Sequence, residues 1–207
     1  MRSSTLRTVL AWLAGLGAFA AWLALAVATA APPVRAVEQL DRQRYAGTWF
    51  EVAGLPSGPQ ARCAADATAT YWPLDERSLR LVRQCRDSND RWTVTMGDAV
   101  ADPGDRSGAR FSVTQVPLWL RWWPRSSDPH WVVLLDPDYR YAVVSDPARR
   151  SLSILSRTPL LAPDLYDKVL VELRARRYPV ERLVPTPQRA FRSPGSMPLA
   201  GRARLMV

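Results

Sequence analysis

The sequence predicts an all-β fold, an eight-stranded antiparallel up-and-down β-barrel (a calyx) with one C-terminal α-helix packed outside it, and three observations predict it. From Gly47 to Arg157 the chain is a succession of eight short segments rich in Val, Thr, Leu and aromatic residues. Most of the connections between them, LDER, DSND, DPGDRSG, DPDYR and PARR, are turn-forming and short enough to join antiparallel neighbours. After Arg157 the apolar period changes from two to that of a helix. Eight strands in a meander either expose two edges or close, and closure removes the edges.

In chain order, the first element precedes the barrel. Arg2 and Arg7 are followed by an uncharged run from Thr8 to Val34 whose apolar part ends in Ala28-Thr29-Ala30. Residues 1–30 therefore read as a secretory signal peptide. The 22 residues from Val9 to Ala30 also approach the roughly 20 that span a bilayer, so an uncleaved anchor is the alternative. No cysteine follows the run, which argues against a lipobox lipoprotein. Either way the folded part, residues 36–187, is expected to be exported to the periplasm or cell envelope.

The strands are read at residues 48–54, 66–73, 78–86, 91–101, 110–116, 130–136, 141–146 and 151–157. Two connections are longer, LPSGPQARCAA after the first strand and PLWLRWWP after the fifth. Two cysteines in an exported domain point to one disulfide, Cys63–Cys85. Each lies 11 residues from Leu74, in the turn region between the second and third strands, which would set them opposite one another across the hairpin.

In TPLLAPDLYDKVLVELRARRYP, Leu165, Val169 and Leu173 share one helical face with Tyr166 and Leu170 beside them. Pro163 suits the first turn, and Arg174, Arg176 and Arg177 suit the last. The stripe is expected to pack on the outer wall; a partner-binding helix is the alternative. Residues 182–186, RLVPT, could add a short final strand. Residues 188–207 are rich in Gly, Pro and Arg without periodicity and read as a disordered tail.

The formal charge of +9 invites a nucleic-acid reading. Its placement removes the invitation, because seven arginines lie in the two acid-free flanks and residues 36–187 carry only +2. No nucleic-acid partner is expected, and no cofactor. Enzyme signatures are missing: DPGDRSG lacks a Lys-Ser/Thr and a following helix, and the sequence has one histidine, His130, too few ligands for a metal with Cys63 and Cys85. His130 reads as a rim or hydrogen-bonding residue. Glu51, Asp66, Asp98 and Asp136 lie in or beside strands, and spacing does not show whether any two converge. The protein is not expected to be an enzyme.

The sequence offers a container instead. Alternation turns small and apolar side chains inward, Ala67, Ala69 and Tyr71, then Val113 and Gln115, Val132 and Leu134, Ser153 and Leu155. A packed barrel without a cavity is the bland alternative.

Three phrases then carry a resemblance. RYAGTWFEVAGLP, with Gly47, Thr48 and Trp49, resembles the first signature of the lipocalin family. LDPDYRYAVV is similar to the second, reading Pro137-Asp138-Tyr139 where Thr-Asp-Tyr is usual, and LSRTP, with Arg157, resembles the third. The likeness covers about residues 38–187 and is strongest to the bacterial lipocalin branch, the apolipoprotein D-like one. It implies a calyx that binds a small hydrophobic ligand, of fatty acid or lysophospholipid type, for lipid storage or transport in the envelope. It also implies a barrel floor made by Trp49 under the guanidinium of Arg157. The ligand-binding residues expected are Leu55, Ala69, Tyr71, Val113, Gln115, Trp119, Trp122, Val132, Leu134, Ser153 and Leu155. A membrane-anchored envelope protein with a structural role, or a lipocalin-like enzyme, are the competing functions. Trp119, Trp122 and Trp123 of PLWLRWWP either rim the calyx or rest in a membrane interface, where indole and Arg121 are both at home.

Overall fold

The structure, a computed structural model, describes residues 31–56, 62–114, 116 and 127–189. The chain divides after Pro33 into two units; the fold below is that of the second, and of the first only residues 31–33 are described. The expected signal segment, the PLWLRWWP loop and the tail beyond Arg189 lie outside the described residues. Among the described residues no helix is long and apolar enough to cross a membrane.

A single helical turn, α1 (Arg42–Tyr45), leads into the first strand. It is capped by Asp41, whose Oδ1 accepts from the backbone N–H of Gln43 and Arg44 at 2.9 and 3.1 Å. The strands are β1 (Gly47–Gly54), β2 (Ala65–Pro73), β3 (Ser78–Arg86), β4 (Trp92–Ala101), β5 (Arg110–Thr114), β6 (Ser127–Leu135), β7 (Tyr141–Ser145) and β8 (Leu152–Ser156). Each pairs antiparallel with the next, and β1 pairs with both β8 and β2, so the sheet closes as the alternation and short turns predict. α2 (Pro163–Ala175) follows, then a 3₁₀ turn over Val180–Arg182 and β9 (Val184–Pro185), inside the stretch where a final strand was expected.

Two apolar clusters divide the buried residues. The inner one fills the barrel around Tyr45, Trp49, Tyr71, Leu79, Phe111 and Val132. The outer one lies between the wall and α2, where Val169 and Leu173 are fully buried against Val143, Leu152 and Ile154. Every residue of β7 and β8 is buried, because those strands have the barrel interior on one face and the outer cluster on the other. Burial of one such leucine stabilises by about 1.5–3 kcal/mol.

Three bulges reset the alternation on which sequence reading depends. In β1 the register shifts between Glu51 and Ala53, so Trp49 lies in the inner cluster while Ala53 and Leu55 lie in the outer one. In β6 it shifts between Val132 and Leu134: Val132 packs inside, Val133 and Leu134 outside, and Leu135 inside again. In β2 it shifts between Ala65 and Thr68, with Asp66 in the left-handed region at φ 56°.

The third bulge also corrects the geometry of the disulfide. Cys63 and Cys85 are bonded, with Cα atoms 5.5 Å apart. They are not opposite one another in the ladder, since Tyr71 pairs with Leu81 and Trp72 with Arg80, which centres the hairpin on Glu76 rather than Leu74. Cys63 precedes β2, just beyond the point where Ala65 meets Arg86.

The C-terminal segment completes the wall. β1 and β2 pair only from Gly47↔Tyr71 to Phe50↔Thr68. Past that point β1 pairs with β9, and the backbone N–H of Asp66 donates to Pro187 O at 2.8 Å. Gln188, only 2% exposed, donates from Nε2 to Glu51 O and Ala67 O at 2.7 and 2.9 Å, bridging the two strands that have parted. The ordered domain thus includes Gln188, which the sequence placed at the start of the tail.

Candidate functional site

The closed end is built around the Gly-x-Trp turn. Trp49 is fully buried and donates from Nε1 to Tyr45 O at 2.8 Å. The Arg157 guanidinium lies over its ring, 3.8 Å from the centroid, and donates to the carbonyls of Tyr45, Ala46 and Thr48. Such a contact contributes about 0.5–2 kcal/mol, more as it is desolvated. Gly47 has φ +96°, and a Cβ there would stand 3.3 Å from Arg157 Nη1, so the position requires glycine. The second signature serves the same end: Tyr139 Oη accepts from Asp41 N at 2.9 Å, Pro137 O accepts from Arg44 at 3.0 Å, and the Arg44 guanidinium covers the Tyr139 ring. Proline in that turn is accommodated, because the group it contributes is a carbonyl.

Above this packed half the barrel is hollow. The empty space measures about 640 Å³, including the part open to solvent, and is lined by Glu51, Ala67, Ala69, Tyr71, Arg83, Thr93, Thr95, His130, Val144, Ser153, Leu155 and the Cys63–Cys85 bridge, among others. Of the residues expected to bind ligand, Ala69, Tyr71, Ser153 and Leu155 line it. Val113 and Val132 face inward but belong to the packed interior. Leu55 and Leu134 do not reach the interior: the β1 and β6 bulges turn both to the outer cluster beside α2. Gln115, Trp119 and Trp122 lie outside the described residues.

The polar lining was not foreseen as a group. His130 is buried, with its Nε2 2.8 Å from Tyr71 Oη and its Nδ1 3.2 Å from Arg83 Nη2. A guanidinium only donates, so Nδ1 accepts and the neutral ring carries its proton on Nε2, donating to Tyr71. Burial, reinforced by the Arg83 charge, pulls the His130 pKa down to about 3. Burial likewise pushes the Tyr71 hydroxyl up, opposed by Arg83. Glu51 accepts from Ser153 Oγ at 2.7 Å and from Thr186 Oγ1 at 3.1 Å, and burial raises its carboxyl pKa against those hydrogen bonds and the Arg83 charge. The four carboxylates singled out in the sequence do not converge: Asp66 meets Arg86, Asp98 meets Arg80, Asp136 meets Arg140, and Glu51 stands in the cavity. Among the described residues no group of three or more His, Cys, Asp or Glu could hold a metal ion.

One signal could have found Arg83. Leu79, Leu81 and Cys85 alternate inward along β3, and Arg83 falls on the same face between them.

Comparison with known proteins agrees with this geometry. A family model described as a lipocalin-like domain matches residues 40–188. Temperature-induced lipocalin-1 of Arabidopsis thaliana is 30% identical over 152 residues, 73% of this chain and 81% of that one. The outer membrane lipoprotein Blc of Escherichia coli (strain K12) is 29% identical over 170 residues, 81% of this chain and 91% of that one. Among solved structures, insecticyanin from the tobacco hornworm Manduca sexta superposes with a TM-score of 0.57 at 17% identity, over 76% of this chain and 85% of that one. Lobster apocrustacyanin A1 superposes with a TM-score of 0.54 at 18% identity, over 72% and 79%.

Proposed function

The chain belongs to the lipocalin family, and we propose that it encloses one small hydrophobic ligand of the fatty acid or lysophospholipid type, for lipid storage or transport in the cell envelope. The observation that carries the reading is the hollow upper half of a closed barrel, open above a filled floor and lined by apolar side chains with a few polar groups among them. Each buried methylene contributes about 0.8 kcal/mol, so some ten carbons, about 8 kcal/mol, outweigh the association cost of roughly 4–15 kcal/mol only in part or narrowly. The micromolar affinity expected therefore calls for a longer chain or for head-group contacts besides.

An extracytoplasmic setting is part of the same proposal. It is supported by the disulfide, by the apolar run over residues 9–30, and by similarity to a relative named as an outer membrane lipoprotein. Trp119 and Trp122 are proposed to rim the mouth, because β5 and β6 are joined at the barrel end where β1 is joined to β2.

Titration of the purified protein with fatty acids and lysophospholipids, followed by tryptophan emission, tests the reading. A saturable change at micromolar ligand is expected. No saturable change with any member of either class overturns it.

A further inference from the structure

We propose that this calyx takes its amphiphile head-inward and selects an anionic head, a carboxylate or phosphate whose oxygens accept from Arg83 at the cavity floor. The inference rests on the ligand-binding reading above and adds the chemical class and direction of the ligand.

The cavity floor is polar where a head-out binder would present it with hydrocarbon. Arg83 pairs across the sheet with Ala69 and Thr95, one inward position above the Tyr71 and Leu81 level where the packed interior begins. Its hydrogen bond among the described residues is the one from Nη2 to His130 Nδ1. Its Nε–H is buried and has no hydrogen-bond partner among the described residues. An unmet buried donor on a permanent cation costs free energy, and an anionic oxygen is the acceptor that recovers most of it. The remaining floor groups are compatible with an anion. His130 takes one Arg83 N–H, the Nη2 donor, through Nδ1 and gives its own proton to Tyr71, which leaves the Nε–H of Arg83 for the head. Glu51 has its oxygens turned to Ser153 and Thr186, which both donate to it, and burial raises its carboxyl pKa against those hydrogen bonds and the Arg83 charge.

Below Arg83 there is no room for a chain. Tyr71, Leu79, Phe111 and Val132 fill the interior down to Trp49. The alkyl chain must therefore run the other way, past Ala67, Thr93 and the Cys63–Cys85 bridge, which line the cavity above Arg83. An apolar terminus pushed onto the floor instead would strip water from Arg83 and Glu51 without replacing it.

Isothermal titration calorimetry on the purified protein with decanoate, decyl phosphate and decanol tests the proposal. These probes share a saturated ten-carbon skeleton and differ in the head, decanoate having one methylene fewer because its carboxyl carbon is one of the ten, which works against the anion. The two anions are expected to bind at least ~10-fold more tightly than the alcohol, the scale of one charge-assisted hydrogen bond. In Arg83→Gln the preference of the anions over the alcohol should fall to within about 2-fold, whatever the absolute affinities, and Arg83→Lys should restore part of it. Equal binding of all three probes by the unmodified protein overturns the proposal while leaving the calyx reading intact. So does an anion preference that survives Arg83→Gln. Binding of none of the three overturns the head-group proposal, and the calyx reading falls with it only if the longer fatty acids and lysophospholipids fail to bind as well. Inorganic phosphate is expected to leave the decanoate isotherm unmoved; displacement of decanoate by phosphate at equal concentration would assign these donors to a free anion and overturn the head-group assignment.

Discussion

The lower and upper halves of this barrel use the same eight strands to opposite ends. Below, β1 and β2 pair directly, and Tyr45, Trp49, Leu79 and Phe111 are essentially without solvent exposure. Above, the two strands part, the gap is bridged by residues from beyond the helix, and the interior carries Arg83, His130 and Glu51 around open space. The physical difference is what each half does with its inward positions. Large apolar side chains at the closed end leave no volume and supply stability. Small residues such as Ala67 and Ala69, beside buried polar ones, leave volume and spend stability on it. The floor and the site are therefore expected to answer differently to mutation.

The largest separation is expected at Trp49. Truncation by Trp49→Ala removes the side chain on which Arg157 stacks and leaves a cavity at the packed end. A loss of about 3–5 kcal/mol is expected in denaturant unfolding. Ligand affinity of the fraction that remains folded should change little, because Trp49 does not line the cavity. A loss of affinity without a loss of stability would reverse the roles assigned to the two halves.

The lower half was also the more legible in sequence. Gly47, Trp49, Tyr139 and Arg157 sit in phrases whose local geometry each residue type dictates, and all four stand together at the closed end. The upper half was read through strict alternation, and alternation fails at a bulge. Leu55 and Leu134 were expected inside and lie outside for that reason alone, since a single inserted residue moves all that follow to the other face. No local signal marks those bulges. Arg83 was missed although its register was readable, because a charged residue is by default assigned to solvent. Gln188 was missed because its partners, the carbonyls of Glu51 and Ala67, are more than a hundred residues away.

A middle-sized effect separates the halves by pH. The His130 pKa is depressed to about 3 in the folded protein, from an ordinary 6.5. Below pH 6.5 the unfolded chain takes up a proton that the folded one refuses, so folding stability falls as pH falls through the window from 6.5 toward 3. By pH 5 this one group should have withdrawn about 2 kcal/mol. Glu51 opposes it, since a raised carboxyl pKa favours the folded state on acidification. The comparison is therefore between variants. Urea unfolding from pH 7.5 to 5 should show a steeper decline for the native sequence than for His130→Gln, and parallel pH profiles would mean that the ring is not held neutral. Trp49→Ala should lower the whole profile without changing its slope.

The smallest effect is expected at the seam. Gln188 lies where β1 and β2 have separated, and its amide is what those two strands share at that level. Gln188→Ala removes two donated hydrogen bonds and leaves the carbonyls of Glu51 and Ala67 short of a partner. The cost expected is about 1 kcal/mol, because water can enter the gap and replace the lost donors. Because the gap adjoins the cavity rather than the floor, the change should be local. Amide hydrogen exchange is expected to quicken at Asp66, whose N–H donates to the neighbouring Pro187 carbonyl, while Trp49 and its neighbours in the paired part of β1 keep their protection. Equal acceleration along the whole of β1 would mean that the two halves open as one unit, and that the seam is part of the global fold rather than a local closure of the calyx wall.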